Sequence, residues 1–438
     1  MGKRKFGIIG GGIMGMQLAH KLANEGNEVT LFEAAPELGG LTASWKIGDF
    51  MWDKFYHVIL LSDFRTRHML KEIGLEDQIQ WVETKTGFYT GGKLYSMSDT
   101  VEFLKFPPLN LIDKFRLGLT IIAASKIKDR KRMEQIPVTT WLKRWSGVNT
   151  FNKLWLPLLR AKLGEGYLKS SAAFIWATIQ RLYGARKSGL KKEMFGYVPG
   201  GYYRIINAFK DKLLSEGVTI KTNRIANQVK EGINGKPQVT FLTGETEEFD
   251  NIIITLPSTI ASRICVGLSA EETIRLNQIE YLGVVCVAVL LDKPISPFYV
   301  TNITDSWVPF TGVIEMSALV DKKHFGGNSL VYLPKYVSSG DPMFDLTDEE
   351  IKTQFTDMLL RMYPEIKAEN IKFAGVAKAR NVITLLTLNY SEKLPNAKTS
   401  IPGVYIINSA YITDGTLNVN ETLTVAETKF DELLRIQE

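Results

Sequence analysis

Residues 6–15 read Phe6-Gly7-Ile8-Ile9-Gly10-Gly11-Gly12-Ile13-Met14-Gly15, and this stretch decides the fold. Phe6 to Ile9 is a short apolar run of the kind that forms a fully buried strand. Gly10-x-Gly12-x-x-Gly15 follows, and Ile13 to Ala23 carries apolar residues at helical spacing. A second strand, Val29-Thr30-Leu31-Phe32, ends on Glu33, eighteen residues after Gly15. Strand, glycine turn, helix, strand and terminal acid, in that order, form the βαβ fingerprint of a dinucleotide site. Each residue type has a physical task. Gly10 permits the tight turn, Gly12 lets a pyrophosphate approach the backbone, and Gly15 lets helix and strand pack closely. The helix N-terminus offers N–H groups that have no intrahelical acceptor to the phosphate charge. Glu33 accepts hydrogen bonds from a ribose diol and repels a 2′-phosphate, which argues against NADP. Lys3-Arg4-Lys5 precedes the apolar run, yet three adjacent glycines would break a leader helix, so the segment is read as structure rather than as a signal peptide.

Pro36-Glu37-Leu38-Gly39-Gly40-Leu41-Thr42 then places a diglycine six and seven residues beyond Glu33. A plain NAD domain does not require it. A flavin extended across the sheet needs a second close approach of backbone, and paired glycines provide one, so the expected cofactor is FAD. With these pieces the chain resembles the flavin-containing amine oxidase superfamily, which includes protoporphyrinogen oxidases, phytoene desaturases and, more distantly, UDP-galactopyranose mutases. The resemblance continues through Asp53-Lys54-Phe55-Tyr56-His57, Gly196-Tyr197-Val198-Pro199-Gly200-Gly201, Ile252–Pro257 and Pro402–Asn408, in family order and over essentially the whole chain. Two departures stand out. Leu41 takes the place of an arginine common in relatives, and Asn408-Ser409-Ala410 replaces the usual Ala-Gly-Asp.

The resemblance implies an α/β fold: a discontinuous Rossmann-like FAD-binding domain, a second, mixed-sheet substrate domain and a helical insertion. Read along the chain, FAD-binding parts fall at 1–85, 191–260 and 396–438, substrate-domain parts at 86–109 and 261–395, and a basic helical subdomain at 110–190. Gly87–Ser96 has a hairpin signature with Gly91-Gly92 at its turn. Trp141, Trp145, Trp155 and Trp176 sit among apolar residues and are expected in the core. The resemblance carries cofactor contacts onto Gly10, Gly12, Ile13, Met14, Gly15, Glu33, Gly39, Gly40, Leu41 and Thr42 in the first lobe. Ile225 belongs to the second lobe, and Asn408, Asn420 and Thr422 to the last. The closing helix after Asn418 is expected to aim its N-terminus at the flavin, where its dipole and N–H groups would stabilise negative charge.

At 438 residues the chain is long enough for two substantial domains. Its two cysteines, Cys265 and Cys286, make no disulfide framework, so a reducing, cytoplasmic setting is the natural reading. No His/Cys cluster has metal-ligand spacing. Charge is uneven: residues 101–200 hold 19 Lys and Arg against 6 Asp and Glu, a local +13 inside a chain of net +6. Attraction to an anionic partner follows, and no recognised module points to nucleic acid. Leu111–Met133 joins an apolar stretch, Leu117–Ala124, to the cations Lys126, Lys128, Arg130, Lys131 and Arg132, the pattern of peripheral contact with lipid head groups.

For chemistry, His57 lies in a segment that in relatives crosses near the flavin ring, where an imidazole could position substrate or relay a proton. Arg380 holds a position that lines the substrate cavity in many relatives. Glu315, inside the apolar run Gly312-Val313-Ile314-Glu315-Met316, is expected as a buried charge facing that cavity. The leading reading is an FAD-dependent oxidoreductase that removes hydride from a C–H or C–N bond of an anionic or lipid-like small molecule. One alternative is an isomerase resembling UDP-galactopyranose mutase, with the basic segment holding a nucleotide diphosphate. The other is a non-catalytic protein resembling the Rab GDP-dissociation inhibitors, against which the retained Gly12, Glu33 and Gly39-Gly40 weigh.

Overall fold

Strands Lys5–Ile9 and Glu28–Phe32 run parallel, with Ile8 opposite Leu31, and are joined by helix α1 (Ile13–Asn24). The structure, a computed structural model, describes residues 3–98, 100–186, 194–413 and 415–437. Three more strands complete a parallel sheet in the order Thr219–Lys221, Glu28–Phe32, Lys5–Ile9, Asn251–Ile254, Val404–Ile406. The chain therefore enters this sheet three times, once early, once in the middle and once near its end. Buried strands in a parallel sheet are apolar on both faces, and alternation sorts them here. Ile8, Leu31 and Ile253 face α1, helix Gly201–Ser215 and the closing helix. Ile9, Phe32, Ile252 and Ile254 face a meander of three short antiparallel strands, Ala226–Glu231, Pro237–Phe241 and Thr246–Glu248.

Gly15 fixes the distance between α1 and its strand. A Cβ at Gly15 would collide with the carbonyl oxygen of Gly10, which is backbone and has nowhere to go. Gly10 itself turns at φ +114°, where an L side chain is strained, while its N–H donates to Phe32 O at 2.8 Å.

The second sheet is mixed and seven-stranded. Its order is Ile371–Thr384, Tyr281–Leu291, Ser329–Ser338, Gly312–Glu315, Val300–Ile303, Thr86–Thr90, Lys93–Ser96. Only Val300–Ile303 and Thr86–Thr90 pair in parallel. Tyr281–Leu291, second in this order, is buried at all eleven positions. Val285, Val287, Val289 and Leu291, with Val331 and Leu333, pack on helix Asp348–Met362, while Val284, Cys286 and Ala288 share the opposite face with Tyr332 and Tyr336. The hairpin at 86–96 forms as its signature indicates, Thr90 opposite Lys93. The fourteen-residue strand Ile371–Thr384 was not anticipated: it lies at the sheet edge and is half-exposed along most of its length, so it lacks a clean apolar pattern.

The helical insertion includes α2 (Leu111–Lys126), α3 (Leu156–Leu163) and α4 (Ala172–Arg186), and α3 packs on strands Ser329–Ser338 and Val300–Ile303 of the second sheet. A capping box starts α2: Asp113 N donates to Asn110 Oδ1 at 2.8 Å and the Asp113 carboxylate answers at Asn110 N. The boundary drawn at 190/191 lies outside the described residues. Trp141, Trp155 and Trp176 are core residues, but Trp145 is 40% exposed, one helical turn beyond Trp141 and on the rim of its face. The apolar run Leu117–Ala124 also divides by helical period. Leu117, Thr120 and Ala124 are buried, whereas Leu111, Ile112, Phe115, Leu119 and Ile122 form an outward stripe. Among the described residues no helix is long and apolar enough to cross a membrane.

Candidate active site

The two glycine turns meet backbone to backbone. Gly12 is paired with Gly39, and Gly39 N donates to Gly11 O at 2.9 Å. Gly40 turns at φ +56°, and its nearest neighbour across the gap is the Gly12 backbone. A Cβ on Gly12 would point into open space, with nothing closer than Gly40 Cα at 4.0 Å. That space is the mouth of a cradle. The first turn of α1, Ile13-Met14-Gly15, contains no acidic residue, so its unpaired N–H groups keep their positive end for an anion. Glu33 sits at the rim, where its carboxylate accepts from Gly11 N at 2.7 Å and from Ala35 N at 2.8 Å. A carboxylate has about four lone-pair sites, so capacity remains for two ribose hydroxyls.

Gly10, Gly12, Ile13, Met14, Glu33, Gly39, Gly40, Leu41 and Thr42 all line one cavity of about 630 Å³ that runs from the cradle to the second sheet. The closing helix α5 (Val419–Gln437) begins at this cavity, and Asn418, Val419 and Thr422 line it. Asn418 caps α5 by accepting from Glu421 N at 3.0 Å. These residues fit FAD: a bare backbone gap at a helix N-terminus for the diphosphate, an acid with spare acceptor capacity for the ribose, and a second helix N-terminus farther along.

Four expected cofactor contacts lie elsewhere. Gly15 is beneath the cradle as a packing residue. Ile225 is 48% exposed and its carbonyl accepts from Leu242 N. Asn408 is buried and fully engaged, donating to Leu256 O at 2.8 Å and accepting from Ala410 N at 3.0 Å, and Ser409 lines the cavity instead. Asn420 accepts from Arg65 N at 2.9 Å and so ties α5 to the start of helix Phe64–Glu72.

On the far side, His57 lines the cavity with its Nδ1 buried and lacking a hydrogen bond, 3.7 Å from Asp53 Oδ2. Asp53 is held by Tyr202 N at 2.8 Å, and a side chain at Gly201 would press against that carboxylate, which explains why Asp53 and Gly200-Gly201 belong to one pattern. Arg380 is not in the cavity. Its guanidinium donates to Ser339 O at 3.1 Å and Asp345 at 3.0 Å and lies over the Phe344 ring, while the next residue, Asn381, lines the cavity. Alternation along the strand sends the two to opposite faces.

Glu315 is also corrected. It is fully buried, but it turns away from the cavity to bond Ser317 Oγ and Ile295 N, the latter at 3.1 Å. Burial pushes its carboxyl up to about 7.

Sequence reasoning missed several lining residues. Phe174, Thr178 and Arg181 lie along one face of α4, a spacing visible in sequence but indistinguishable there from an ordinary core face. Arg181 pairs with buried Asp63 at 3.2 Å. Lys162 of α3 and Tyr336 carried no signal at all: the Lys162 Nζ stands 3.6 Å over the Tyr336 ring, whose hydroxyl shares a 2.9 Å hydrogen bond with Tyr56. Burial drives the Lys162 ammonium down to about 7 and the Tyr56 phenol up to about 12.

The sequence profile of the flavin-containing amine oxidoreductases matches residues 14–410. The chain belongs to that family and is an FAD-dependent oxidoreductase. It is 22% identical to the chloroplastic/chromoplastic 15-cis-phytoene desaturase of Arabidopsis thaliana, a match covering 91% of this chain and 74% of that one. Its fold is similar to that of an oxidoreductase from Methanosarcina mazei (TM-score 0.76, 16% identity, 98% and 100% of the two chains). A reduced UDP-galactopyranose mutase shares it too (TM-score 0.75, 16% identity, 100% and 95%).

Two outcomes check this site. Gly12→Val fills the cradle without touching the packing beneath it, so FAD retention should collapse while the apoprotein melts close to wild type. Glu33→Ala should weaken FAD binding about tenfold or more, the loss of charged-acceptor hydrogen bonds worth roughly 1.5–3 kcal/mol; unchanged affinity would remove Glu33 from the site. For Glu315 the sign is set by a carboxyl that stays protonated in the fold up to about 7 but ionises near about 4 when unfolded. Stability therefore falls as pH rises through that window and stays reduced above it. Glu315→Gln keeps an acceptor for Ile295 N, so melting curves should show a larger gain at about pH 8 than at about pH 5, with little change in turnover. A turnover loss with unaltered melting would return Glu315 to the chemistry.

Proposed function

We propose that this oxidoreductase removes hydride from a C–H or C–N bond of an apolar, lipid-like small molecule that it meets at a membrane surface. The observation that carries this reading is the pairing of an apolar substrate side of the cavity with an apolar stripe on the outer surface of the same helical layer. Phe174, Phe195, Val284, Val300 and Val382 wall the cavity beyond the cradle. Helix α4 supplies Phe174 to that wall, and its other side is tied to α2: Trp176 Nε1 donates to Ile127 O and Gln180 Nε2 to Ala124 O. The outward face of α2 is the stripe Leu111, Ile112, Phe115, Leu119 and Ile122, each at least 43% exposed. Val101, Leu104 and Val148 extend it, at 57%, 51% and 61% exposed. Contiguous apolar surface of this kind marks an interaction site, and flanking exposed Lys126, Lys128, Lys131 and Arg132 suit an anionic lipid surface.

FAD bound in the cradle supplies the two-electron acceptor for the hydride. The protein's part is placement. Gly12, Gly40 and the start of α1 hold the diphosphate, Glu33 holds the ribose, and the N-terminus of α5 presents N–H groups toward the far end of the cavity. The apolar wall excludes water, and His57, with a free Nδ1 beside Asp53, is positioned to accept or relay a proton. Two buried free thiols, Cys265 and Cys286, agree with a cytoplasmic setting. The isomerase alternative needs the basic segment to grip a nucleotide diphosphate, but Lys126, Lys128, Lys131 and Arg132 are on the outside and Arg130 pairs with Glu134; of the segment's cations that line the cavity, Arg181 is paired with Asp63, which leaves Lys162 alone to face two phosphates.

Replacing Leu111, Ile112 and Phe115 with serine should abolish co-sedimentation with phosphatidylglycerol-containing vesicles while leaving bound flavin at wild-type occupancy. Replacing Lys126, Lys128, Arg130, Lys131 and Arg132 with glutamine should make the remaining binding less dependent on salt. Vesicle binding that survives both sets would contradict the membrane-facing assignment.

A further inference from the structure

We propose that Lys162 anchors an anionic headgroup, so that the substrate of this cavity is an apolar molecule ending in a carboxylate. The inference rests on the oxidoreductase reading above and names the substrate class of the same site. Charge around the substrate side of the cavity is the starting point. Among the described lining residues the only acid is Glu33, at the ribose end. The cations are Lys162 and Arg181, and Arg181 is already neutralised by Asp63. Lys162 has no carboxylate within ion-pair distance among the described residues. Its Nζ rests over the Tyr336 ring, whose face attracts a cation but offers no oxygen lone pair for the three N–H donors.

A cation held in an apolar cavity without an opposing charge is costly to the fold, and its ammonium is correspondingly easy to deprotonate. An incoming carboxylate removes that cost: it supplies the missing charge and accepts the unmade hydrogen bonds in a setting where water competes poorly. The same arrangement disfavours other classes. A substrate amine would place like charges together. A phosphate dianion would meet a single free cation where two or more donors normally converge. A neutral hydrocarbon would leave Lys162 buried and unmatched. Tyr56 and Tyr336, bonded to each other beside Lys162, stay neutral because burial raises both phenols, so neither competes as an internal counter-ion.

The test uses the FAD-loaded enzyme at slightly acidic pH, titrated separately with dodecanoate, dodecanol and dodecylamine. Binding is read as a shift in the visible flavin spectrum, with FAD retention followed in parallel. Dodecanoate is expected to bind at least about tenfold tighter than dodecanol, the scale of one charge-assisted hydrogen bond. Lys162→Met should erase that preference and Lys162→Arg should preserve it. Equal affinity for acid and alcohol in the wild-type enzyme, or tighter binding of the amine, would overturn the anchor while leaving the apolar-substrate reading intact. Loss of FAD from Lys162→Met would also overturn it, since the lysine would then serve the cofactor. Binding of none of the three would defeat the apolar-substrate reading and this inference with it.

Discussion

Everything in this molecule is arranged around one close approach, that of the turn at Gly10–Gly12 to the turn at Gly39–Gly40. Side chains are kept out of both turns, by backbone strain at some positions and by the need for an open gap at another. Gly10, Gly39 and Gly40 sit at positive φ, and Gly12 faces Gly40 across a gap with no other atom in it. Gly15 lets α1 come down onto its strand, which brings the helix N-terminus to the edge of that gap. The parallel sheet serves the same end, because its strands deliver their C-terminal ends, where Glu33 and Thr255 sit, to one crevice.

The second sheet and the helical layer close the crevice from the other side. One face of Tyr281–Leu291 is filled by helix Asp348–Met362 and becomes inert core, while the other contributes Val284 to the cavity, where Tyr336 joins it from the neighbouring strand. Helix α4 divides its labour in the same way, with Trp176 and Gln180 fastening it to α2 while Phe174, Thr178 and Arg181 look inward. Polar groups are sparse on the inner wall, so the few present, His57, Lys162, Arg181 and the tyrosine pair, weigh heavily in what the cavity accepts.

How much of this could be read from the sequence follows from the range of the interactions. The cradle was legible because glycine spacing, helix start and strand end are local, and each has a steric reason visible in the residue itself. The three-part entry of the chain into the first sheet was legible for the same reason, since each passage carries its own apolar run. Arg380 and Glu315 were misplaced because strand alternation was known at those positions but register was not: one residue of shift moves a side chain from the cavity to the surface or into a closed core. Asn408 was assigned by pattern to the cofactor, yet its amide is consumed in tying Leu256 and Ala410 together. Lys162 was invisible, because nothing adjacent to it in sequence distinguishes it from the other lysines of a basic segment. The apolar stretch at 117–124 was noticed, but its exposed members could be separated from its buried ones only once α4 was in place against α2.

We propose that the gap between Gly12 and Gly40 seats the cofactor diphosphate. A crystal structure of the FAD-bound protein is the test. It should show the diphosphate between the two glycine turns at the start of α1, the ribose hydroxyls on Glu33, and the far end of the cofactor near the N-terminus of α5. A flavin seated elsewhere, or a diphosphate out of reach of Gly12 and Gly40 with Glu33 still bonded only to Gly11 and Ala35, would contradict it.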